Sequence, residues 1–466
     1  MRIAVVVKQV PTFTEMALDS DGRLIRAGLP LELNPYCRRA VSQAVELAAA
    51  AAGEAGPATV TVVTLGPPSA EECLREAVAW GLERSVDIDG VLITDPAVAG
   101  SDTLATARTL ADALRLIGPF DLVLTGRNSV DADTGQVPPE LAELLGLPFL
   151  TGVRRLEIDG PMVWAHCEHD DGSEDAEVEL PALLSCAERL IEPCKVDATG
   201  RAAVPAERIR RLSAADLGPG PWGQAGSPTR VGAVRVHEVD REGIVLHGPV
   251  EEQVRTAVDV LVRRGALAAR PESLVTEALR PSAGLTGAVV PRPGNRAGTA
   301  VAVVLEADRP HVAQELLSAA AELAADLDGH VVALADTAEA DPARLGSGGA
   351  DEVIALEPAD TPPGPEPAGP EDVARALAGW AAEVRPWAVL LPSTAWGREV
   401  AGRAAARLGA GLTGDAVGFD VEDGRLVAWK PAFGGQVLAA ITAASPVQMA
   451  TVRPGMLARR APRADG

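Results

Sequence analysis

The sequence predicts an α/β protein made of two similar parallel-sheet domains carried on one chain. Three observations lead there. Short, continuously apolar runs alternate with helical patterns, as strands buried on both faces require. The same order of runs occurs twice along the 466 residues, which is the mark of an internal repeat. Hydrophobic residues make up 47% of the chain with aromatics at only 3%, a composition that suits layered sheets and helices. The length is itself too great for one ordinary core.

In the first half, Ile3–Val7 reads as a strand, Arg39–Ala52 as a helix and Thr59–Leu65 as a strand ending at Gly66-Pro67. Ala70–Trp80 follows as a helix, Ser85–Ile88 as a short strand, Thr103–Leu116 as a helix and Asp121–Thr125 as a strand. The second half repeats this with Ala300–Leu305, Val312–Leu327, His330–Ala335 and Trp387–Leu391. "GGADEVIAL" stands where the first half has "WGLERSVDI". Each half then gives a polar turn, a helix and an alternating, antiparallel-looking pair, "LEIDGPMVWAHCEH" and "FDVEDGRLVAWKPAFGG". Two homologous domains arranged as a pseudo-dimer are expected. The region from Ala198 to Gly298 is less regular, with a β-like segment around Val231–Leu246 and a helix at Val250–Gly265. An acidic, Pro-rich loop occupies 357–372. The expected boundaries are 1–268 for the first domain with its extension, 269–298 for a linker and 299–466 for the second domain.

A net charge of −23 disfavours nucleic acid as a partner, and the cluster Arg208, Arg210 and Arg211 is short and without aromatic neighbours. Five scattered cysteines without CxxC spacing point to a reducing, cytoplasmic setting. There is no leader pattern at the N-terminus and no apolar stretch of the roughly 18 to 20 residues needed for an integral membrane segment.

Ligands of open parallel sheets bind at the carboxyl ends of strands. Four segments hold that position in the first half: Val6-Val7-Lys8, Asn34-Pro35-Tyr36-Cys37, Leu65-Gly66 and the polar loop in "GRNSVDADTGQVPPELAELLG". Two readings fit the loop. Thr134, Gly135, Gln136 and Val137 lead into a helix, where free backbone N–H groups suit a phosphate and Gly135 permits close approach. Alternatively Asp131, Asp133 or Thr134 simply caps that helix. "HCEH" (His166, Cys167, His169) resembles a metal set, but neighbouring strand residues face opposite sides and exposed strand residues are the plainer reading. Cys37 reads as a small helix-capping residue or as a thiol of lowered pKa. No GxSxG or HExxH supports hydrolysis. Trp396 and Trp429 are expected at a domain interface.

The same segments carry a family resemblance. "VVVKQVPTF", "LNPYCRRAVSQAVELA", "VTLGP", "EAVAWGLERSV" and "DLVLTGRNSVDADTGQVPPELAELLGLP" resemble the β subunit of electron-transfer flavoproteins, continuing through "LPALLSCAERLIEP". From about Ala300, "LGSGGADEVIAL", "LLPSTAWGREVAGRAAARLGAGLTGD" and "MATVRPGML" look like the N-terminal domain of the α subunit. The resemblance implies a fusion of the two, Rossmann-like and of adenine-nucleotide-binding type. It implies an electron carrier rather than a substrate-converting enzyme, working through FAD. It also implies AMP or a second FAD in the β-like domain, held by Val6, Asn34, Pro35, Tyr36, Cys37, Leu65, Asp131, Asp133, Thr134, Gly135, Gln136 and Val137. Backbone N–H groups would do most of this, with side-chain contacts from Thr134 and Gln136, and Phe13 would lie near a flavin ring. The signatures of the family's redox-FAD domain are not found in the sequence, so a separate FAD-domain chain is the expected partner. A flavin-linked dehydrogenase or other redox protein would be the second. "CKVDATGRAAVPAERIRR" departs from the family's partner-recognition loop. The alternative is a nucleotide-binding regulatory or assembly scaffold that has lost electron transfer.

Overall fold

A computed structural model describes residues 1–12, 28–51, 58–236, 243–264, 299–335, 341–356 and 368–463. Phe13, the expected linker 269–298 and most of the Pro-rich loop lie outside the described residues.

The chain begins with β1 (Arg2–Val6), the short pair β2 (Gln9–Pro11) and β3 (Leu31–Leu33), and α1 (Pro35–Ala51). β4 (Thr59–Leu65), α2 (Glu71–Leu82), β5 (Asp87–Ile93), α3 (Thr103–Ile117), β6 (Leu122–Gly126) and α4 (Val137–Leu145) follow. Then come β7 (Phe149–Asp159), β8 (Met162–Glu168), β9 (Ser173–Glu179) and β10 (Ala182–Cys186). The middle region holds α5 (Ala198–Ala202), β11 (Ile209–Leu212), α6 (Ala214–Leu217), α7 (Gly223–Gly226), β12 (Thr229–Val236) and α8 (Val250–Arg263). The first sheet has nine strands in the order β11-β5-β4-β1-β6-β10-β7-β8-β9. Alternation along β1 explains its two covered faces. Ile3 and Val5 pack in the layer of α1 and α2, whereas Ala4 and Val6 pack in that of α3 and α4.

The second half comprises β13 (Ala300–Val304), α9 (Pro310–Asp326), β14 (His330–Ala335), α10 (Pro342–Gly348), β15 (Glu352–Ala355), α11 (Pro370–Val384), β16 (Ala388–Pro392) and α12 (Ala395–Leu408). β17 (Gly411–Ala416), β18 (Gly418–Glu422), β19 (Arg425–Ala432), β20 (Val437–Ala443) and β21 (Gln448–Val452) complete it. Its parallel sheet runs β15-β14-β13-β16-β21-β17, and the first sheet contains the same sequence of roles as β5-β4-β1-β6-β10-β7. In each half the last parallel strand, β7 or β17, leads through antiparallel strands before the chain returns as β10 or β21 between it and β6 or β16. The two halves are therefore Rossmann-like α/β domains of one topology, as the repeated pattern predicts.

Several elements differ from the sequence reading, each for a local reason. α1 starts at Pro35 rather than Arg39, because proline is well suited to a first helical turn; Asn34-Pro-Tyr-Cys is thus a helix start and not a loop. β5 extends to Ile93, although Asp87 and Asp89 interrupt its apolar run, because Arg208 reaches both carboxylates at 2.7 and 3.1 Å. Arg211 likewise meets Glu71 at 2.6 Å, so these two cluster arginines serve local ion pairs. Trp429 is 2% exposed inside the second half's own antiparallel layer, and Trp396 packs against that half's helical core. Trp429 also meets the preceding region, where Arg235 of β12 lies 4.3 Å over its ring.

That arginine belongs to an exchange between the halves. β12 leaves the first half and pairs antiparallel with β20, giving the four-stranded sheet β12-β20-β19-β18. Asp102 fixes the departure point. One of its oxygens caps α3 through the Ala105 N–H, and the other accepts from the N–H and hydroxyl of Thr229 at 2.8 and 2.7 Å. A second seam joins α4 to α12. Arg403, 2% exposed, contacts Glu399 at 3.0 Å and Glu143 of the first half at 3.4 Å, and Arg407 meets Glu143 at 2.7 Å.

Candidate functional site

The carboxyl ends of β1 and β6 lie side by side, with Val6 opposite Thr125. Chain order reverses direction there, so this is the sheet's switch point, where open α/β sheets bind ligands. The loop from Arg127 to Gln136 rises from that point and is tied down from several sides. Asn34 is fully buried; its amide donates to the Asn128 carbonyl at 2.8 Å and accepts from the Val130 N–H at 3.2 Å. Lys8 reaches both oxygens of Asp131 at 2.8 Å. Burial works to raise the Asp131 pKa, but the Lys8 charge and the hydrogen bonds from Lys8 and Ser129 outweigh it and hold the group below its ordinary value. Asn128 donates to Asp133 at 2.7 Å.

Two residues of the loop take left-handed backbone, Asp133 with φ 48° and Gly135 with φ 63°. A Cβ added at Gly135 would lie 2.8 Å from the Asn128 side-chain oxygen and 3.4 Å from Arg398, so a side chain there would displace Asn128 as well as strain the left-handed backbone. The capping alternative is not realised. The residue before α4 is Gln136, in helical conformation, and no side chain caps the helix. Pro138 and Pro139 bring no N–H to the first turn. The N–H groups of Thr134, Gly135, Gln136 and Val137 have no hydrogen-bond partner among the described residues.

The remaining expected residues divide clearly. Cys37 accepts from Asn34 at 3.2 Å, and burial raises its pKa; the reading of an acidified thiol is overturned by desolvation. Tyr36 is pushed up to about 12, by burial first and then by the Glu188 carboxylate. Val6 and Leu65 pack in the α3–α4 core layer. Gln136 is 2% exposed, and both ends of its side chain are committed inside the protein. Its oxygen accepts from Thr103 at 2.9 Å and its amide donates to the Leu412 carbonyl at 3.2 Å. Its side chain therefore does not contribute to a ligand surface. At the "HCEH" stretch, Cys167 is 1% exposed in the core, whereas His166 pairs with Asp175 and His169 with Glu174, each at 2.8 Å. Among the described residues no three His, Cys, Asp or Glu side chains group as metal ligands.

Beside the loop opens a polar cleft of about 220 Å³, lined by Tyr36, Arg127, Asn128, Asp133, Glu168, Glu188, Arg189 and, from the second half, Arg398. Neither Arg127 nor Arg189 has an ion-pair partner among the described residues. Guanidiniums without a carboxylate partner, together with backbone N–H groups, can hold an anion. The sequence reading passed over these arginines. Arg127 lies within the quoted loop, but the approach of Arg189 and Arg398 depends on the fold.

The fold and this cleft define a two-domain α/β protein whose switch-point loop in one half is completed by the other. The chain belongs to the electron transfer flavoprotein domain family, whose profile matches residues 21–211 and 301–466. It is 36% identical over 268 residues to the electron transfer flavoprotein subunit beta of Thermoanaerobacterium thermosaccharolyticum, covering 57% of this chain and 99% of that protein. It is 37% identical over 235 residues to the caffeyl-CoA reductase-Etf complex subunit CarD of Acetobacterium woodii, covering 50% of this chain and 86% of the relative. Protein FixA of Bradyrhizobium diazoefficiens is 33% identical over 275 residues, covering 56% and 91%. No helix among the described residues is long and apolar enough to cross a membrane.

Proposed function

We propose that this chain is a fused electron-transfer flavoprotein component: a β-like domain (1–268), a linker (269–298) and a domain like the N-terminal part of the α subunit (299–466). The β-like domain holds an adenine nucleotide, AMP or FAD, at the 127–137 loop. A separate FAD-domain chain completes the flavoprotein, which then takes electrons from a flavin-linked dehydrogenase and passes them to a second redox protein. The observation that carries this is Gly135. Its left-handed turn, where any Cβ would collide with Asn128, leaves the adjoining N–H groups without internal partners. That cradle fits a phosphate.

On this reading the backbone N–H groups of Gly135, Gln136 and Val137 bind the phosphate, and Arg127 adds charge from the cleft. Asn34, Asn128 and Asp131 keep the loop in place without touching the ligand. FAD supplies the redox chemistry when bound, and the protein orients it and tunes its surroundings. The test is to purify the chain alone and with the products of neighbouring genes, recording visible spectra and released nucleotide. The reading predicts an adenine nucleotide in every preparation and flavin absorbance with a partner. AMP alone in every case, with no flavin recruited, would instead support a regulatory or assembly scaffold.

A further inference from the structure

The loop that carries the phosphate cradle is gripped from the other half of the molecule. Lys430, in β19 and only 8% exposed, donates from Nζ to the Ala132 carbonyl at 2.5 Å and to the Pro431 carbonyl at 3.4 Å. The Phe433 N–H donates to the Asp131 carbonyl at 3.0 Å. Gly414 comes so near that its Cβ would sit 3.3 Å from that of Thr134. Ala132 is the hinge of this arrangement: on one side Asp131 is fixed by Lys8, and on the other Asp133 turns left-handed towards Gly135.

We propose that Lys430 is a positioning residue of the nucleotide site in the opposite half, holding the loop through the Ala132 carbonyl and placing a buried positive charge beneath it. The inference rests on the nucleotide reading above. The charged groups facing Lys430 come from four directions: Asp415 in β17, Asp133 in the loop, Arg453 after β21 and Arg398 in α12. Burial brings its pKa down to about 8, against the pull of Asp415 and Asp133. An anion bound above it favours the protonated form, so binding takes up a proton and weakens as pH climbs past that value.

The experiment is titration calorimetry of the full chain, stripped of nucleotide, with AMP and in parallel with FAD, from pH 7 to 9.5. The second ionisation of the AMP phosphate, at ~6, lies below this window, and the diester phosphates of FAD have none. Wild-type affinity should fall several-fold between pH 7 and 9.5, as the charge is lost. Lys430→Arg, which stays charged, should bind like wild type at pH 7 and show a flat profile. Lys430→Met should bind about tenfold more weakly and also give a flat profile, with thermal melts reporting whether each variant is folded. Wild-type affinity and an unchanged pH profile in Lys430→Met overturn the inference alone, as does a persisting alkaline loss in Lys430→Arg. A wild-type chain that binds neither AMP nor FAD overturns the nucleotide reading itself and this inference with it.

Discussion

Single residues decide the shape of the loop, and two substitutions test it. Gly135→Val puts a β-branched side chain into left-handed backbone against Asn128, costing roughly 1–2 kcal/mol. Nucleotide carried through purification should drop several-fold while the fold survives. Asp133→Ala removes the partner of Asn128 and should reduce retained nucleotide more mildly; unchanged nucleotide in both variants would count against the loop as the site. A third substitution probes the seam. Arg403→Met strands Glu399 beside an apolar stem, while Arg407 still meets Glu143, and breaking such a buried pair costs about 3–5 kcal/mol, measurable as a lower urea midpoint. The candidate loop was legible in the sequence because its polar residues are contiguous and interrupt a strand–helix pattern. The commitment of Gln136 to Thr103 and Leu412 was not, since its partners lie 33 and 276 positions away.

At the level of elements, alternating apolar runs identified most of the strands and helices of both parallel sheets. Two exposed strands owe their place to their partners rather than to their own composition, and of these only β12 overlaps an expected segment, Val231–Leu246. β9, "SEDAEVE", is almost all exposed and acidic; it is a strand because β8 offers an open ladder. β12 has an equally exposed face and takes its pairing from β20 in the other half. Asp102 governs that exchange by capping α3 and anchoring Thr229 together. Asp102→Ala should cost about 1–3 kcal/mol and raise amide exchange in 229–236 and 437–443 above the rest of the sheets. Uniform exchange across both sheets would show that the anchor is redundant.

Across the whole molecule, the halves repeat one topology but are not equivalent: one contributes the loop and the other holds it. The seam between them also responds to pH. Burial pushes Glu399 up to about 7 from its ordinary 4.5, against the pull of Arg403. A carboxyl raised in the fold binds its proton more readily when folded, so its favourable contribution is full below about 4.5 and is lost as pH rises through about 7. Glu399→Gln should therefore show a smaller fall in urea midpoint between pH 5 and 7.5 than wild type; an identical fall would assign the pH response to other groups.

Whether the first half carries an adenine nucleotide on the 127–137 loop decides the proposed function. It is tested most directly by denaturing purified wild-type and Gly135→Val protein and quantifying the released nucleotide by chromatography. About one adenine nucleotide per wild-type chain and a several-fold loss in the variant are expected. No adenine nucleotide from the wild type, or equal amounts from both, would contradict it.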